Sequence, residues 1–126
     1  MVHLPIVLIA GALGVWLFYV QHTFENAYWT RGKDWDSNEA AINGSSFFDL
    51  PRVLHWFTGN IGYHHIHHLA SRIPNYRLRE AFLSHPALQA GPRLTIWTSF
   101  KSARLKLWDE ELKRMVGFPK RQRASA

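Results

Sequence analysis

The N-terminal part of the chain is one uninterrupted apolar run. No Asp, Glu, Lys or Arg occurs before Glu25, and positions 4–20 have the sequence LPIVLIAGALGVWLFYV. At about 1.5 Å per residue, a helix over this run and a few following residues spans a bilayer core of about 30 Å. A secretory signal is the alternative, but the first three residues carry no Lys or Arg and no small-residue cleavage site follows the run. The pattern therefore predicts a transmembrane helix and its polar end within residues 1–29.

The following part of the chain alternates between short polar and short amphipathic segments. Residues 30–48 contain the turn sequence Asn-Gly-Ser-Ser and predict a connecting loop with a short helix around Asn38–Ile42. Residues 49–90 predict a cap of short helices that carries most of the histidines. Asp49 is positioned to cap the first of these helices, and Asn75 is positioned to cap a later one.

The last part of the pattern has a helical period. Within residues 91–119, apolar and aromatic side chains recur every three or four positions among lysines and arginines, at Trp97, Phe100, Trp108, Leu112 and Met115. This spacing predicts a basic amphipathic helix, which packs on its own protein or lies on lipid headgroups. Residues 120–126 are predicted to be disordered. Because no strand-like alternation of any length occurs, we expect an all-α fold with one transmembrane helix followed by a helical cap.

Charge is concentrated at the end of the chain. Residues 101–126 carry eight basic and three acidic side chains, and they supply most of the formal net charge of +6. A basic end on an otherwise balanced chain suits an anionic membrane surface and predicts a cytosolic C-terminus. Nucleic-acid binding by this tail is the weaker alternative, and we expect no nucleic-acid partner. The absence of cysteine excludes disulfides and thiolate sites, so a metal would be held by imidazole or carboxylate.

A cluster of four histidines within five positions is the most informative feature. On a helix, His64, His67 and His68 share one face, whereas His65 lies about 100° away from His64. Three neutral imidazoles within one turn can bind a transition metal. The interleaved Ile66 and the internal position argue against an expression tag. The spacing leaves open whether the metal is zinc or iron.

An isolated histidine at the end of the apolar run is a further candidate. His22 follows seventeen residues that are almost wholly apolar, and an imidazole there loses hydration unless it meets a partner. The alternative is a histidine that marks the boundary between membrane and water.

Two segments carry a resemblance to a known family. GYHHIHHL at positions 62–69 resembles the third histidine box, His-x-x-His-His, of the integral-membrane fatty acid desaturases. FYVQHTFE at positions 18–25 is similar to the end of the last transmembrane helix in that family. The flanks WFTGNIG at 56–62 and SRIPNY at 71–76 resemble bacterial acyl-lipid desaturases, so the likeness covers roughly residues 4–84.

The resemblance implies two non-haem irons held by three histidine boxes and one histidine of the last span. Matched residue by residue, it implies that His64, His67 and His68 are ligands from the third box and that His22 is the additional ligand. It further implies O2 as co-substrate, membrane lipid acyl chains as substrate and a ferredoxin- or cytochrome-type electron donor. The family arrangement places the histidine box on the cytosolic side of an integral membrane protein. Asn60 and Glu25 are candidates for groups that orient the ligands.

The first two histidine boxes of the family have no match in the chain. We therefore expect the chain to be the C-terminal portion of a desaturase and to be inactive by itself. The alternative is a small single-span membrane protein that binds metal or acts as a scaffold without catalysis.

Overall fold

The computed structural model describes residues 1–119, which are mostly helical. Its helices are α1 (His3–His22), α2 (Ser37–Asn43), α3 (Arg52–Phe57), α4 (His64–Leu69), α5 (Leu78–Ser84), α6 (Pro86–Gln89) and α7 (Ile96–Ser99). Single 3-10 turns occupy Gly32–Asp34, Asn75–Arg77 and Ser102–Arg104. Its strands are β1 (Phe47–Asp49), β2 (Arg93–Thr95), β3 (Leu107–Asp109) and β4 (Arg114–Val116).

The first helix forms where the apolar run predicts it. α1 has 20 residues, and among the described residues it is the one helix whose length and composition would allow it to cross a membrane. Only Val20 and Gln21 of this helix are buried. Most of the apolar surface of α1 is therefore uncovered by the part of the chain that the structure describes, and its last turn is the part that packs.

The expectation of an all-α fold is confirmed only in part: the described residues are mostly helical, but four short strands also form among them. β1 and β2 pair in parallel with Phe48 opposite Leu94, and β3 and β4 form an antiparallel hairpin with Trp108 opposite Met115. Each strand has three residues, which is too short to produce a visible alternation of polar and apolar positions. The parallel pair also joins segments that are far apart in sequence, so no local signal announces it.

The predicted amphipathic helix over residues 91–119 is wrong. Thr95 and Thr98 form a reciprocal cap, but the helix that they start, α7, ends after one turn. Further along, the Asp109 carboxylate accepts hydrogen bonds from the backbone N–H groups of Glu111 and Leu112 at 3.0 and 2.9 Å. Such a turn competes with the helix for the same backbone donors, and it closes the β3–β4 hairpin instead.

Smaller sequence predictions have mixed outcomes. The short helix around Asn38–Ile42 is confirmed by α2, which Asp36 caps through two hydrogen bonds of 2.9 Å, so residues 30–48 are more ordered than a loop. Asp49 does not cap α3, because its carboxylate pairs with Arg93 on the adjacent strand. The predicted disordered tail lies outside the described residues.

Strand β1 lies between two small apolar clusters because successive side chains of a strand point to opposite faces. Phe47 belongs to one cluster, with Tyr63, Ile66, Leu78 and Leu88. Phe48 belongs to the other cluster, with Val20 and Leu50. The strand therefore packs against the histidine-bearing α4 on one side and against the end of α1 on the other.

Candidate metal centre

Backbone hydrogen bonds through β1 place the end of α1 beside the start of α4. Ser46 N–H donates to the Gln21 carbonyl at 3.0 Å, one residue before His22. Two residues later, Phe48 N–H donates to the Gly62 carbonyl at 2.8 Å, two residues before His64. Strand β1 and the residue before it thus set the distance between two histidines that are 42 positions apart in sequence.

Three of the predicted ligands converge through the same ring atom. His64 Nε2 lies 2.9 Å from His22 Nε2 and 3.1 Å from His68 Nε2. One ring nitrogen from each of the three histidines lies within 4.8 Å of those of the other two. His64 is buried, His22 is half-buried and His68 is exposed, so the group opens to the outside on the His68 side.

The spacing of these nitrogens fits a transition metal ion. Imidazole nitrogens bind zinc at about 2.0–2.1 Å, and two such ligands at angles of about 90–110° stand roughly 2.9–3.4 Å apart. The two short Nε2 separations, 2.9 and 3.1 Å, fall in this range. Without an ion, His64 Nε2 carries either one N–H or one lone pair, so only one of its two short contacts can be a hydrogen bond, which favours a shared cation as the common partner of the three rings.

The structure does not bring His67 into this group. Its ring centroid lies 5.9 Å from that of His64 and 6.0 Å from that of His68. On a helix, His67 and His68 lie on either side of His64, about 100° apart, and His22 approaches from the His68 side. His67 as a metal ligand therefore stays a prediction. His65 points away, as its helical position predicts, and its Nε2–H donates to the Leu88 carbonyl at 2.8 Å.

Burial favours the neutral form of three histidines of α4, His64, His65 and His68, because it lowers their pKa values. The pKa of His64 is lowered to about 3, most by burial and then by the neighbouring imidazoles of His22, His68, His67 and His65. Burial also lowers the pKa of His65, although the Leu88 carbonyl opposes this shift. The pKa of His68 is lowered by burial and then by His22 and His67. Neutral rings are the form that binds a metal, so the site is prepared for a cation at neutral pH.

These shifts predict that the metal-free chain loses stability in mild acid. A histidine in the unfolded chain has a pKa near about 6.5, whereas these folded-state values are lower, so protons bind preferentially to the unfolded state. The stabilisation is complete above about pH 6.5 and decreases as the pH falls below it. Urea midpoints measured with a chelator should therefore be lower at about pH 5 than at about pH 7.5. His65→Gln should reduce this difference, and a midpoint that rises on acidification would contradict the assignment.

Gln21 is a site residue that the sequence analysis missed. Its side chain is fully buried, and among the described residues neither its Oε1 nor its Nε2 has a hydrogen-bond partner. It lines a cavity of about 500 Å³ together with Leu17, Phe18, Ile61 and His64. An unpaired buried amide in a cavity beside the histidines marks this space as the place where a ligand or another polar group meets the site.

Neither residue predicted to orient the ligands does so. The Asn60 side chain donates to the Asn75 carbonyl at 3.1 Å, and the Asn60 backbone is left-handed with φ of 59°. Glu25 forms an ion pair of 2.8 Å with Arg114 on β4. Both residues therefore hold turns around the site rather than the histidine rings.

Comparisons with known proteins identify the class of the chain. The sequence model of the family described as "Fatty acid desaturase" matches residues 1–100. The chain belongs to the fatty acid desaturase family. It is therefore an oxidoreductase by family, which agrees with the resemblance carried by the two histidine segments.

Individual relatives agree with this assignment. A protein named "Fatty acid desaturase" from Bacillus subtilis (strain 168) is 52% identical over 114 residues, which cover 90% of the chain and 32% of that protein. The "sn-1 oleoyl-lipid 12-desaturase" of Synechocystis sp. is 36% identical over 70 residues, or 56% of the chain and 19% of that protein. No solved structure matches. The chain thus spans about a third of the length of the Bacillus relative and less of the cyanobacterial one.

Proposed function

We propose that the chain forms part of a membrane-embedded acyl-lipid desaturase and contributes histidine ligands to its di-iron centre. The observation that carries this proposal is the convergence of three Nε2 atoms, from His22, His64 and His68, at one point. Family membership supports the reaction class, because the two segments that meet there are the segments that resemble the family. His67 is proposed as a ligand of the same centre, where its partner ligands would come from other segments of a desaturase.

The donor set suits non-haem iron. All three converging ligands are imidazoles, which bind iron as well as zinc, and α1 supplies one of them at the end of a helix that would cross a membrane. The chemistry that iron supplies when bound is the reduction of O2 coupled to the removal of two hydrogen atoms from the acyl chain. The residues of this chain hold the ligand rings neutral, orient their Nε2 atoms toward one point and keep bulk water away from His64.

The cavity beside His64 supports an acyl chain as substrate. It has a volume of about 500 Å³, and its walls include Leu17 and Phe18 of α1 and Ile61 of the turn before α4. Apolar walls with a few polar groups are typical of ligand sites of this volume. An acyl chain that enters along α1 would bring its methylene groups to the buried face of His64.

The membrane arrangement follows from α1 and from the charge of the chain. We propose that α1 spans the bilayer and that the histidine centre and the basic C-terminal part lie on the cytosolic side, where positive charge is favoured. A soluble donor of the ferredoxin or cytochrome type would supply electrons from that side.

An exchange experiment tests the proposed function. The segment of the Bacillus subtilis desaturase that aligns with this chain is replaced by the chain, and the hybrid is expressed in cells whose fatty acids are saturated. We expect unsaturated fatty acids from the hybrid, because the chain is 52% identical to the segment that it replaces, and none from its His64→Ala variant. A hybrid that accumulates in the membrane, binds iron and makes no unsaturated product contradicts the proposal.

Expression of the 126 residues alone separates the two hypotheses of the sequence analysis. We expect no unsaturated product from them, because three converging imidazoles supply too few ligands for two irons. A non-catalytic metal protein is instead favoured if the chain alone binds metal tightly and the hybrid enzyme stays inactive. Unsaturated product from the chain alone would show that the ligands assigned to other parts of a desaturase are not required.

A further inference from the structure

A second cavity is lined by residues of α3, of the turn before α4 and of α5, and none of the three converging histidines lines it. It has a volume of about 180 Å³ and is lined by Arg52, His55, Trp56, Asn60, Tyr63 and Arg79. A single water needs only about 10–15 Å³ of such space, so the cavity has room for a larger polar group. Five of the six lining side chains carry an N–H or O–H donor on an arginine, amide, indole or phenol.

The charge of this cavity is positive. Arg52 and Arg79 are exposed, and the Arg79 charge acts on both the His55 ring and the Tyr63 hydroxyl, which places its guanidinium at the cavity. Asp49 is the acidic group whose charge also acts on His55 and Tyr63, and its carboxylate is paired with Arg93. Neither Arg52 nor Arg79 forms an ion pair with a carboxylate of residues 1–119, and their planar donor groups are of the kind that binds phosphate in pairs of hydrogen bonds.

The inner wall of the cavity is fixed before any ligand binds. The Leu50 backbone N–H donates to His55 Nε2 at 3.3 Å, and the His55 ring stacks on Tyr63 with centroids 4.8 Å apart. Both residues are buried, at 7% and 5% exposure. The arginines therefore extend from a rigid base, so a ligand needs to order only two side chains.

The surface next to the cavity is apolar and lies at the level of the end of α1. Trp56 and Phe57 of α3 are 74% and 72% exposed. Leu50, just before α3, packs on Val20 in the last turn of α1. If α1 spans the bilayer, α3 lies where that helix leaves the apolar core, which is the depth at which tryptophan and arginine are favoured.

From this geometry we propose that the Arg52–Arg79 cavity binds the phosphate of a phospholipid headgroup, with Trp56 and Phe57 among the upper parts of the acyl chains. The proposal deepens the proposed function, since it rests on the membrane position of α1 and names phospholipid as the lipid class held beside the enzyme. It does not depend on the metal centre. Free phosphate shares the headgroup chemistry, but it leaves the exposed aromatic side chains without a partner.

Lipid retention by the purified chain in mild detergent tests the proposal. Native mass spectrometry compares phosphatidylglycerol with monogalactosyldiacylglycerol, a phosphate-free lipid with the same acyl chains. We expect phosphatidylglycerol to be retained preferentially, and Arg52→Gln/Arg79→Gln to weaken its binding by at least about tenfold, because two charge-assisted contacts are lost. The matched control is Arg72→Gln/Arg77→Gln, which removes the same charge from exposed arginines outside the cavity and should change binding by less than about twofold.

The outcomes separate the alternatives. Equal weakening in both double variants, or equal retention of the two lipids, overturns the proposal. Inorganic phosphate that binds as tightly as phosphatidylglycerol overturns the assignment to a lipid headgroup. Cobalt(II) binding serves as the readout of the histidine centre: it should be unchanged in Arg52→Gln/Arg79→Gln and lost in His64→Ala, whose lipid preference should persist. Failure of the lipid site and failure of the metal centre are thus observed independently.

Discussion

Replacing His64 with alanine is expected to abolish metal binding by this chain, whereas replacing His67 is expected to leave it within a few-fold of the unsubstituted protein. His64 Nε2 is the central atom of the group, with neighbours at 2.9 and 3.1 Å. Loss of a group that merely orients a ligand costs roughly 10–100-fold in metal affinity, so loss of the central ligand should cost more than about 100-fold. His67 lies outside the group within which the other three nitrogens meet.

Titration with cobalt(II) in detergent at neutral pH measures this difference, because cobalt reports its coordination by visible absorption. We expect one ion for each chain. His85→Ala is the control, since His85 is exposed and lies in the turn between α5 and α6. If His67→Ala weakens binding as much as His64→Ala does, the ligand set is the whole histidine box, and the separation of His67 from the other rings does not describe the bound state.

His67 should matter again in the hybrid desaturase described above. There the segments of the Bacillus relative would supply the partners that His67 needs, so His67→Ala should remove activity although it spares the first ion. If His64→Ala and His67→Ala both remove the activity of the hybrid but only His64→Ala removes cobalt binding by the chain, the two histidines belong to different iron positions of a di-iron centre. Equal activity of the His67→Ala hybrid and its parent would instead remove His67 from the ligand set.

The parts of the site that sequence reasoning finds are those encoded locally. The composition of α1 is sufficient to predict its helix, and the i, i+4 spacing of His64 and His68 is sufficient to predict that their rings meet. The meeting of His22 with His64 depends instead on hydrogen bonds of Ser46 and Phe48, which no periodicity announces. From the residues alone, His22 is either a functional histidine or a marker of the boundary between membrane and water. Only the family resemblance links it to the histidine cluster.

The amphipathic helix predicted over residues 91–119 is wrong for a different reason, because there a local pattern is present and tertiary contacts override it. Trp97, Phe100 and Trp108 do recur at helical intervals, but the rings of Phe100 and Trp108 pack on different parts of the chain, and Trp97 is exposed. Phe100 contacts Trp16 of α1 with centroids 5.8 Å apart, and Trp108 contacts Trp29 at 5.5 Å. Aromatic side chains gain enough from separate partners to override a weak local preference for helix. The helical period predicts that these side chains share one face of a helix. In the fold they instead contact two different segments, α1 and the chain around Trp29.

Gly62→Ala is expected to destabilise the fold strongly and to weaken metal binding with it. A Cβ atom at this position would collide with the backbone carbonyl of Phe48 and approach His55 Cε1 to 2.6 Å. The Phe48 carbonyl belongs to the backbone, and it cannot move aside without stretching the 2.8 Å hydrogen bond from Phe48 N–H to the Gly62 carbonyl. Overpacking costs about 1–3 kcal/mol and a weakened hydrogen bond about 0.5–1.5 kcal/mol, so we expect a loss of about 2–4 kcal/mol.

The same strand contact sets the position of His64, so the substitution should act on the site as well as on stability. Gly11→Ala is the matched control: no heavy atom lies within 4 Å of a Cβ at this position in α1, and removing a helical glycine stabilises by about 0.5–1 kcal/mol. Urea midpoints and cobalt titrations of both variants measure the two effects. Normal stability and normal cobalt affinity in Gly62→Ala would show that β1 does not hold α4 in place, and the convergence of His22 with His64 would then need another cause.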